Sequence, residues 1–174
     1  QTEQICLNAV TQNGSALQFV NDQTEEICFS AIKQNINMMQ YVKEQTEQLC
    51  LKVIQQHCFA LKYIKKQTKQ ICIAAVMKGG CQLEIVEEQT EQICLKAVKQ
   101  NGLALQFVKE QTEDICLEAV NQTGFALQYV NIQTEKICYN AVNNNGNALQ
   151  YVKNQTKQIC EKAVQQNRNA VKYI

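Results

Sequence analysis

The feature that most constrains this chain is a 22-residue motif that recurs eight times without an insertion or a proline. A fixed period of roughly 20 to 50 residues indicates a repeat architecture in which each unit packs on its neighbours. The copies begin at Gln1, Gln23, Gln45, Gln67, Gln89, Gln111, Gln133 and Gln155. We therefore interpret residues 1–174 as a single repeat array and number the positions within each repeat from 1 to 22. Because the sequence opens without Met and follows repeat boundaries, we expect a segment of a longer protein.

Each repeat is predicted to contain two helices. Threonine occupies position 2 in every copy, where its hydroxyl can cap a helix that spans positions 3 to 12. Apolar residues at positions 5, 6, 9 and 10 have helical spacing rather than the alternation of a strand. Glycine at position 14, as in Asn101-Gly102, predicts a left-handed residue that ends this helix. The second helix is predicted in the ALQFV or ALQYV run at positions 16 to 20.

This pattern favours an all-α fold, a right-handed superhelical α-solenoid of eight tandem two-helix repeats. The alternative makes ALQYV a strand and the chain an α/β horseshoe like that of leucine-rich repeats, whose period includes 22 residues. The leucine-rich motif LxxLxLxxN is absent, and Ala, Leu, Gln and Lys favour helix. The interpretation as a helix places the aromatic residues of position 19 on its buried, apolar face. They are Phe19, Tyr41, Tyr63, Phe107, Tyr129, Tyr151 and Tyr173.

Ten cysteines would suggest a disulfide scaffold, but eight of them share position 6. They are Cys6, Cys28, Cys50, Cys72, Cys94, Cys116, Cys138 and Cys160. Equivalent residues of stacked repeats should lie ~10 Å apart, whereas a disulfide needs Cα atoms closer than ~7 Å. We therefore expect a row of buried thiols and a reducing compartment rather than secretion through the endoplasmic reticulum.

Two cysteines, Cys58 and Cys81, depart from this row and lie at positions 14 and 15 of adjacent copies. They either fill turn positions, which we favour, or form a disulfide, a redox pair or, with His57, a partial metal site. Two thiols and one imidazole are fewer than the four ligands of a structural zinc site.

Charge and motif content argue against several function classes. Seventeen basic and sixteen acidic residues give no general attraction to nucleic acid or an anionic membrane. No run of 18 apolar residues is present, and neither a catalytic triad nor a phosphate-binding glycine loop is recognisable. We expect a chain that is not an enzyme and needs no cofactor, metal, membrane or small-molecule substrate.

Position 15 is the best candidate for partner binding because its chemistry varies most between copies. Phe59, Leu103 and Phe125 are expected to be exposed there, on the same edge as the glutamines of position 18. The glutamines of this position that we single out for binding are Gln40, Gln106, Gln128 and Gln150. Exposed aromatics beside amides are typical of a protein-binding strip, although local packing against the turn is the alternative. The glutamine of position 1 is expected to hydrogen-bond backbone groups of the turn between repeats.

The runs QTEEIC and AVKQNGLALQFVKE carry a resemblance that covers the whole chain. They are similar to a short helical repeat family of unknown function, abundant in mimivirus-like giant DNA viruses of amoebae and present also in bacteria and protists. The resemblance implies a viral or amoeba-associated source, in the host cytoplasm or the virion, and no activity. Ile36, Cys58 and Arg168 replace the glycine of position 14, so those three helices must end without it.

The expected function is therefore a non-catalytic scaffold for protein–protein interaction, self-assembly or structural assembly of a giant virus. The alternative is a helical repeat array that binds nucleic acid, which would need stacking and basic side chains on one exposed face.

Overall fold

The computed structural model describes residues 1–174 and contains sixteen helices and no strand. Each repeat folds as a ten-residue α-helix followed by a six-residue 3-10 helix. The α-helices are α1 Glu3–Gln12, α2 Glu25–Gln34, α3 Glu47–Gln56, α4 Lys69–Lys78, α5 Glu91–Gln100, α6 Glu113–Gln122, α7 Glu135–Asn144 and α8 Lys157–Gln166. The 3-10 helices are η1 Gly14–Phe19, η2 Ile36–Tyr41, η3 Cys58–Tyr63, η4 Gly80–Ile85, η5 Gly102–Phe107, η6 Gly124–Tyr129, η7 Gly146–Tyr151 and η8 Arg168–Tyr173.

The array divides into two compact segments, Gln1–Ala75 and Val76–Ile174. In the N-terminal segment α1 packs on α2 and α2 on α3, while in the C-terminal segment α5 to α8 pack in chain order. Within each segment the 3-10 helices pack on one another in chain order, η1 to η3 in the first and η4 to η8 in the second. The predicted all-α solenoid is confirmed, and the α/β alternative is wrong. No helix is both long enough and apolar enough to cross a bilayer.

The α-helices begin where the threonine pattern predicts. Thr90 has an extended backbone, and its Oγ1 accepts a hydrogen bond from the Ile93 backbone N–H at 3.4 Å. This bond satisfies one of the N–H groups that a helix start leaves without an internal partner. The same hydroxyl position also links consecutive repeats, because Thr112 Oγ1 donates to the Glu91 carboxylate of the preceding repeat at 3.2 Å.

The α-helices end in a different way from the one predicted. No glycine has a positive φ, and the helix end is formed by an extended residue at position 13, such as Asn101 with φ −150° and ψ 109°. Where position 14 is glycine, the next repeat approaches it closely, whereas Ile36 and Cys58 occupy this position in the second and third repeats. A Cβ added to Gly102 would lie 2.5 Å from the Ala119 carbonyl oxygen, and one on Gly124 would lie 2.4 Å from that of Ala141.

The second helix of each repeat is a 3-10 helix that begins at position 14, two residues earlier than predicted. The Asn101 Oδ1 accepts from the Leu103 backbone N–H at 3.1 Å and so caps its start. With three residues per turn, positions 14, 17 and 20 share one face and positions 15 and 18 share another. Gly102, Leu105 and Val108 accordingly lie in the core.

The structure corrects the placement of the position 19 rings, which do not lie in the buried core. Phe19 is 71% exposed, Tyr41 is 38% exposed, and the other five rings are half-buried. Position 19 shares the third 3-10 face with position 16, which is buried in most repeats, so the rotation per residue does not by itself account for the exposure of the rings. The core is formed instead by α-helix positions 5, 6, 9 and 10 together with positions 16, 17 and 20.

Gln82 interrupts this core in the fourth repeat. Its side chain is 4% exposed at position 16, and its Oε1 has no hydrogen-bond partner. Most other repeats carry alanine there, and the second carries Met38. A buried acceptor without a partner destabilises a fold because it loses its bond to water and gains none in return.

We expect Gln82→Met to raise the free energy of unfolding by about 1–2 kcal/mol, since it removes the unpaired oxygen and nearly preserves side-chain volume. Urea unfolding followed by circular dichroism measures the change. Gln106→Met, the same exchange at an exposed position, should alter stability by less than about 0.5 kcal/mol. An unchanged or lowered urea midpoint for Gln82→Met would contradict the expectation.

Candidate functional site

Within each of the two segments the outward-facing residues of the 3-10 helices form a surface, which we call the 3-10 face and define by positions 15, 18 and 19. Of the predicted binding residues, Phe59 is 64% exposed. The four glutamines predicted to bind at position 18, Gln40, Gln106, Gln128 and Gln150, are all exposed, as is Gln18 of the first repeat. The 3-10 face is therefore a mixed surface of amides and aromatic rings.

Leu103 and Phe125 are half-buried, which corrects the expectation that they are exposed. The Phe125 ring packs edge-to-face against Tyr151 of the next repeat, with centroids 6.2 Å apart and an interplanar angle of 86°. A side chain at position 15 therefore covers the position 19 ring of its neighbour, as in the N-terminal segment, where the Tyr63 hydroxyl donates to the Asn37 side-chain oxygen. Local packing and partial exposure coexist at this position.

Positions 15 and 18 of one repeat meet directly, as predicted. Gln106 Nε2 donates to the Leu103 carbonyl at 3.1 Å, and Gln128 Nε2 donates to the Phe125 carbonyl at 3.0 Å. Gln150 makes the same bond to Asn147 at 3.0 Å. Since a glutamine amide has two N–H donors and one acceptor oxygen, each side chain is oriented while hydrogen-bonding capacity toward solvent remains.

A groove of about 450 Å³ runs beside these amides in the C-terminal segment. Gln106, Gln128, Tyr129, Asn131 and Lys153 contribute to its lining. The walls thus combine one aromatic ring, one cation and several uncharged amides. Such a surface can bond the backbone of a partner chain through the amides and pack side chains on the ring.

A larger cavity of about 870 Å³ lies over the last repeat and is lined by Cys160, Glu161, Val164, Arg168 and Ile174, among others. Position 14, here Arg168, is the point at which earlier repeats contact the repeat that follows them, as Gly124 contacts Ala141. We therefore assign this cavity to the stacking surface of a repeat rather than to a ligand site.

The α-helices present a different surface. Lys52 pairs with Glu25 of the preceding repeat at 3.3 Å, and Lys136 lies 3.9 Å from Glu113. All four side chains are substantially exposed, so these pairs contribute little to stability. Charges of both signs occur here, and the Lys52 ammonium also lies 4.4 Å from the centroid of the Phe29 ring. This surface therefore carries charges with scattered aromatic rings among them.

The glutamines of position 1 satisfy the turn between repeats, which confirms the prediction made for them. Gln89 Nε2 donates to the carbonyls of Leu83 at 3.0 Å and Phe107 at 2.9 Å, and its Oε1 accepts from the Lys109 backbone N–H at 3.0 Å. The Gln89 side chain, at the start of the fifth repeat, therefore bonds both the preceding repeat and the end of its own repeat.

Sequence reasoning missed a second amide, at position 12. Gln122 Oε1 accepts from the Gly102 N–H of the preceding repeat at 2.8 Å, and Asn144 Oδ1 accepts from Gly124 in the same way at 2.7 Å. The signal was present, because position 12 is Gln in six copies and Asn in a seventh. Its partner lies twenty residues earlier, so no local pattern identifies it.

The row of position 6 cysteines is buried as predicted, except that Cys160 is half-buried, and all ten cysteines carry thiols. Burial, with a smaller contribution from a neighbouring glutamate, raises the pKa of Cys28 and of Cys50 to about 11. Burial also raises the pKa of Cys94, Cys116 and Cys138. Since thiolates are the nucleophiles and metal ligands, these five cysteines are unreactive at neutral pH. No group of three or more His, Cys, Asp or Glu side chains is arranged to hold a metal ion.

We expect iodoacetamide to modify Cys81 first under native conditions, because its side chain is exposed, and Cys58 and Cys160 more slowly, because theirs are half-buried. Buried cysteines such as Cys94 and Cys116 should react only after unfolding in urea, where all ten become accessible. Peptide mapping by mass spectrometry measures the order. Native labelling of Cys94 as fast as that of Cys81 would contradict the buried row.

Comparison with known proteins gives a family but no activity. The model of a family described as "Domain of unknown function (DUF4116)" matches residues 2–45, 90–133 and 134–174. Together the three matches cover most of the chain, and each spans about two repeats. The unmatched stretch contains the third and fourth repeats, with His57, Cys58, Cys81 and Gln82. No curated protein and no solved structure matches the chain.

Proposed function

Since the chain belongs to the DUF4116 family of domains of unknown function, we propose from its geometry that it is a non-catalytic scaffold whose 3-10 face binds a protein partner. We further propose that it works in a reducing compartment, the host cytoplasm or the virion of a giant virus. The buried thiol row supports the compartment, and the resemblance in sequence supports the source.

One observation carries the proposal. Each repeat presents a partly exposed residue at position 19, aromatic in all but one copy, beside an outward-facing side chain at position 18, a glutamine in most repeats. The repeats do not need the glutamines for their own cohesion, because the amides of positions 1 and 12 bond the backbone at the junctions. Tyrosine and phenylalanine are enriched at protein interfaces, where they bury large areas at a small entropic cost.

The α-helices border grooves of similar size but present no regular row of aromatic rings. One groove, of about 460 Å³, is lined by Lys52 among others, and another, of about 410 Å³, is lined by Tyr139 among others. The thiols of Cys28 and Cys50, whose pKa is about 11, are protonated at neutral pH, and the single histidine, His57, lies in an exposed position. These features support binding by the 3-10 face rather than catalysis.

Selection from a randomised peptide library tests the proposal with two matched variants of equal charge change. The first variant, Gln128→Glu with Gln150→Glu, alters the 3-10 face at a position where Glu84 occurs naturally. The second, Gln92→Glu with Gln158→Glu, alters the α-helical side at position 4, where Glu26 occurs. We expect peptides enriched by the wild type to bind the second variant but not the first. Loss of binding in the second variant alone, or no enrichment, would overturn the assignment.

The partial exposure of the position 19 rings also favours a second candidate, binding of single-stranded nucleic acid by stacking. Against it, lysine occupies position 18 only at Lys62 and Lys172, so the 3-10 face has no regular basic row. Gel-shift titration with homopolymeric RNA and DNA at low salt distinguishes the two. We expect no shift, and a shift that the 3-10 variant abolishes would replace the protein partner with nucleic acid.

A further inference from the structure

Three repeats place asparagine directly before glycine at the junction of their two helices. The steps are Asn13-Gly14, Asn101-Gly102 and Asn145-Gly146. We infer that these steps are latent deamidation sites and that docking of the following repeat keeps them unreactive.

The chemistry requires freedom at both residues. The glycine backbone nitrogen loses its proton and attacks the asparagine Cγ. The bond from Cγ to the side-chain nitrogen breaks, ammonia leaves, and water then opens the five-membered imide to aspartate or isoaspartate. Glycine after asparagine is the most permissive sequence for this step, since no side chain hinders the attacking nitrogen.

In this structure the attacking nitrogen is engaged by the next repeat. The Gly102 N–H donates to Gln122 Oε1 at 2.8 Å, and the Gly14 N–H donates to Gln34 Oε1 at 2.8 Å. Gly146 makes the same bond to Gln166. Attack on Cγ would sacrifice this bond in a buried position, where the loss of a donor's partner is costly.

The asparagine side chain is held as well. Asn101 Oδ1 accepts from the Leu103 N–H at 3.1 Å, and the corresponding bonds at Asn13 and Asn145 measure 3.0 Å. Asn101 has ψ 109°, and the Asn13 and Asn145 values of 106° and 112° are nearly the same. Ring closure must rotate the carboxamide out of this bond and rotate the backbone between the two residues.

The following repeat also removes the space for that rotation. A Cβ added to Gly102 would lie 2.5 Å from the Ala119 carbonyl oxygen and 2.8 Å from the Thr123 methyl carbon. A Cβ on Gly146 would lie 2.3 Å from the Ala163 carbonyl oxygen. Because the blocking atoms belong to the next repeat, a step becomes reactive only when that repeat undocks. Deamidation therefore records local opening of the array at a known junction.

The test follows deamidation of the full chain at mildly alkaline pH and 37 °C by peptide mapping with isoaspartate detection. The folded wild type should deamidate at all three steps at least about tenfold more slowly than the chain in urea, because only the locally opened fraction reacts. Gln122→Ala should accelerate deamidation of Asn101 several-fold and leave the deamidation rates of Asn13 and Asn145 unchanged. Gln106→Ala, an exposed substitution in the same repeat as Asn101, should leave all three deamidation rates unchanged.

Gln166→Ala provides an independent second variant and should accelerate Asn145 alone. Equal rates in the folded and urea-unfolded wild type would overturn the inference. So would a Gln122→Ala chain whose three steps accelerate together, since that result would assign protection to global folding. An unchanged deamidation rate of Asn101 in the Gln122→Ala chain would show that the Gln122 side-chain amide does not contribute to the protection of this step.

Discussion

Alanine in place of Gly124 is expected to lower the free energy of unfolding of the C-terminal segment by about 3 kcal/mol or more. The added Cβ would lie 2.4 Å from the Ala141 carbonyl oxygen and 3.1 Å from the Asn145 Cβ. The carbonyl belongs to helix α7 and cannot yield as a flexible side chain would. Relief requires the two repeats to separate, which also lengthens the 2.7 Å bond from the Gly124 N–H to Asn144.

Urea unfolding followed by circular dichroism measures the effect, with two controls. Gln128→Ala, an exposed substitution in the same 3-10 helix, should change stability by less than about 0.5 kcal/mol. Gly14→Ala should cost less than about 1 kcal/mol, because its Cβ would meet the Ala31 carbonyl only at 3.0 Å and alanine restricts the unfolded chain. Equal costs at Gly14 and Gly124 would show that the close approach is not the reason for glycine.

Replacing Gln89 by alanine is expected to destabilise the chain by about 2–4 kcal/mol. The substitution removes two donors and one acceptor from three backbone groups, the carbonyls of Leu83 and Phe107 and the N–H of Lys109. It also removes the 3.9 Å contact from Cys94 Sγ to the Gln89 Oε1.

The matched control is Gln92→Ala, three residues after Gln89 at the exposed start of helix α5. It should change the free energy of unfolding by less than about 0.5 kcal/mol. Hydrogen exchange adds a positional readout, because the loss should be largest for amides of the fourth and fifth repeats. A Gln89→Ala chain as stable as the Gln92→Ala chain would mean that water replaces the glutamine without cost.

The candidate site was predictable in part. The pattern identified positions 15 and 18 as neighbours, and Gln106 and Leu103 are indeed joined by a hydrogen bond. It did not identify the position 19 rings as members of the same surface, since their apolar character and spacing group them with the buried positions 16, 17 and 20. Tyr129 lines the groove beside Gln128, although the pattern predicts it in the core.

Contacts within about four residues could be read from the chain itself. The Thr90 cap, the helix over Glu91–Gln100 and the burial of Cys94 follow from residue types and spacing, because their partners are sequence neighbours or repeat at a fixed period. The fold class follows from the same period, since one short repeat cannot bury its own apolar face.

Only the tertiary structure explains the glycine at position 14 and identifies the hydrogen-bond partners of the position 12 amides. It also determines how much of each position 19 ring is exposed. The oxygen that Gly102 must accommodate belongs to Ala119, and the amide that its N–H meets belongs to Gln122. Each of these partners lies in the next repeat, so its distance depends on how closely two helices pack. That distance is set by the whole interface between repeats and is not encoded in any short stretch of chain.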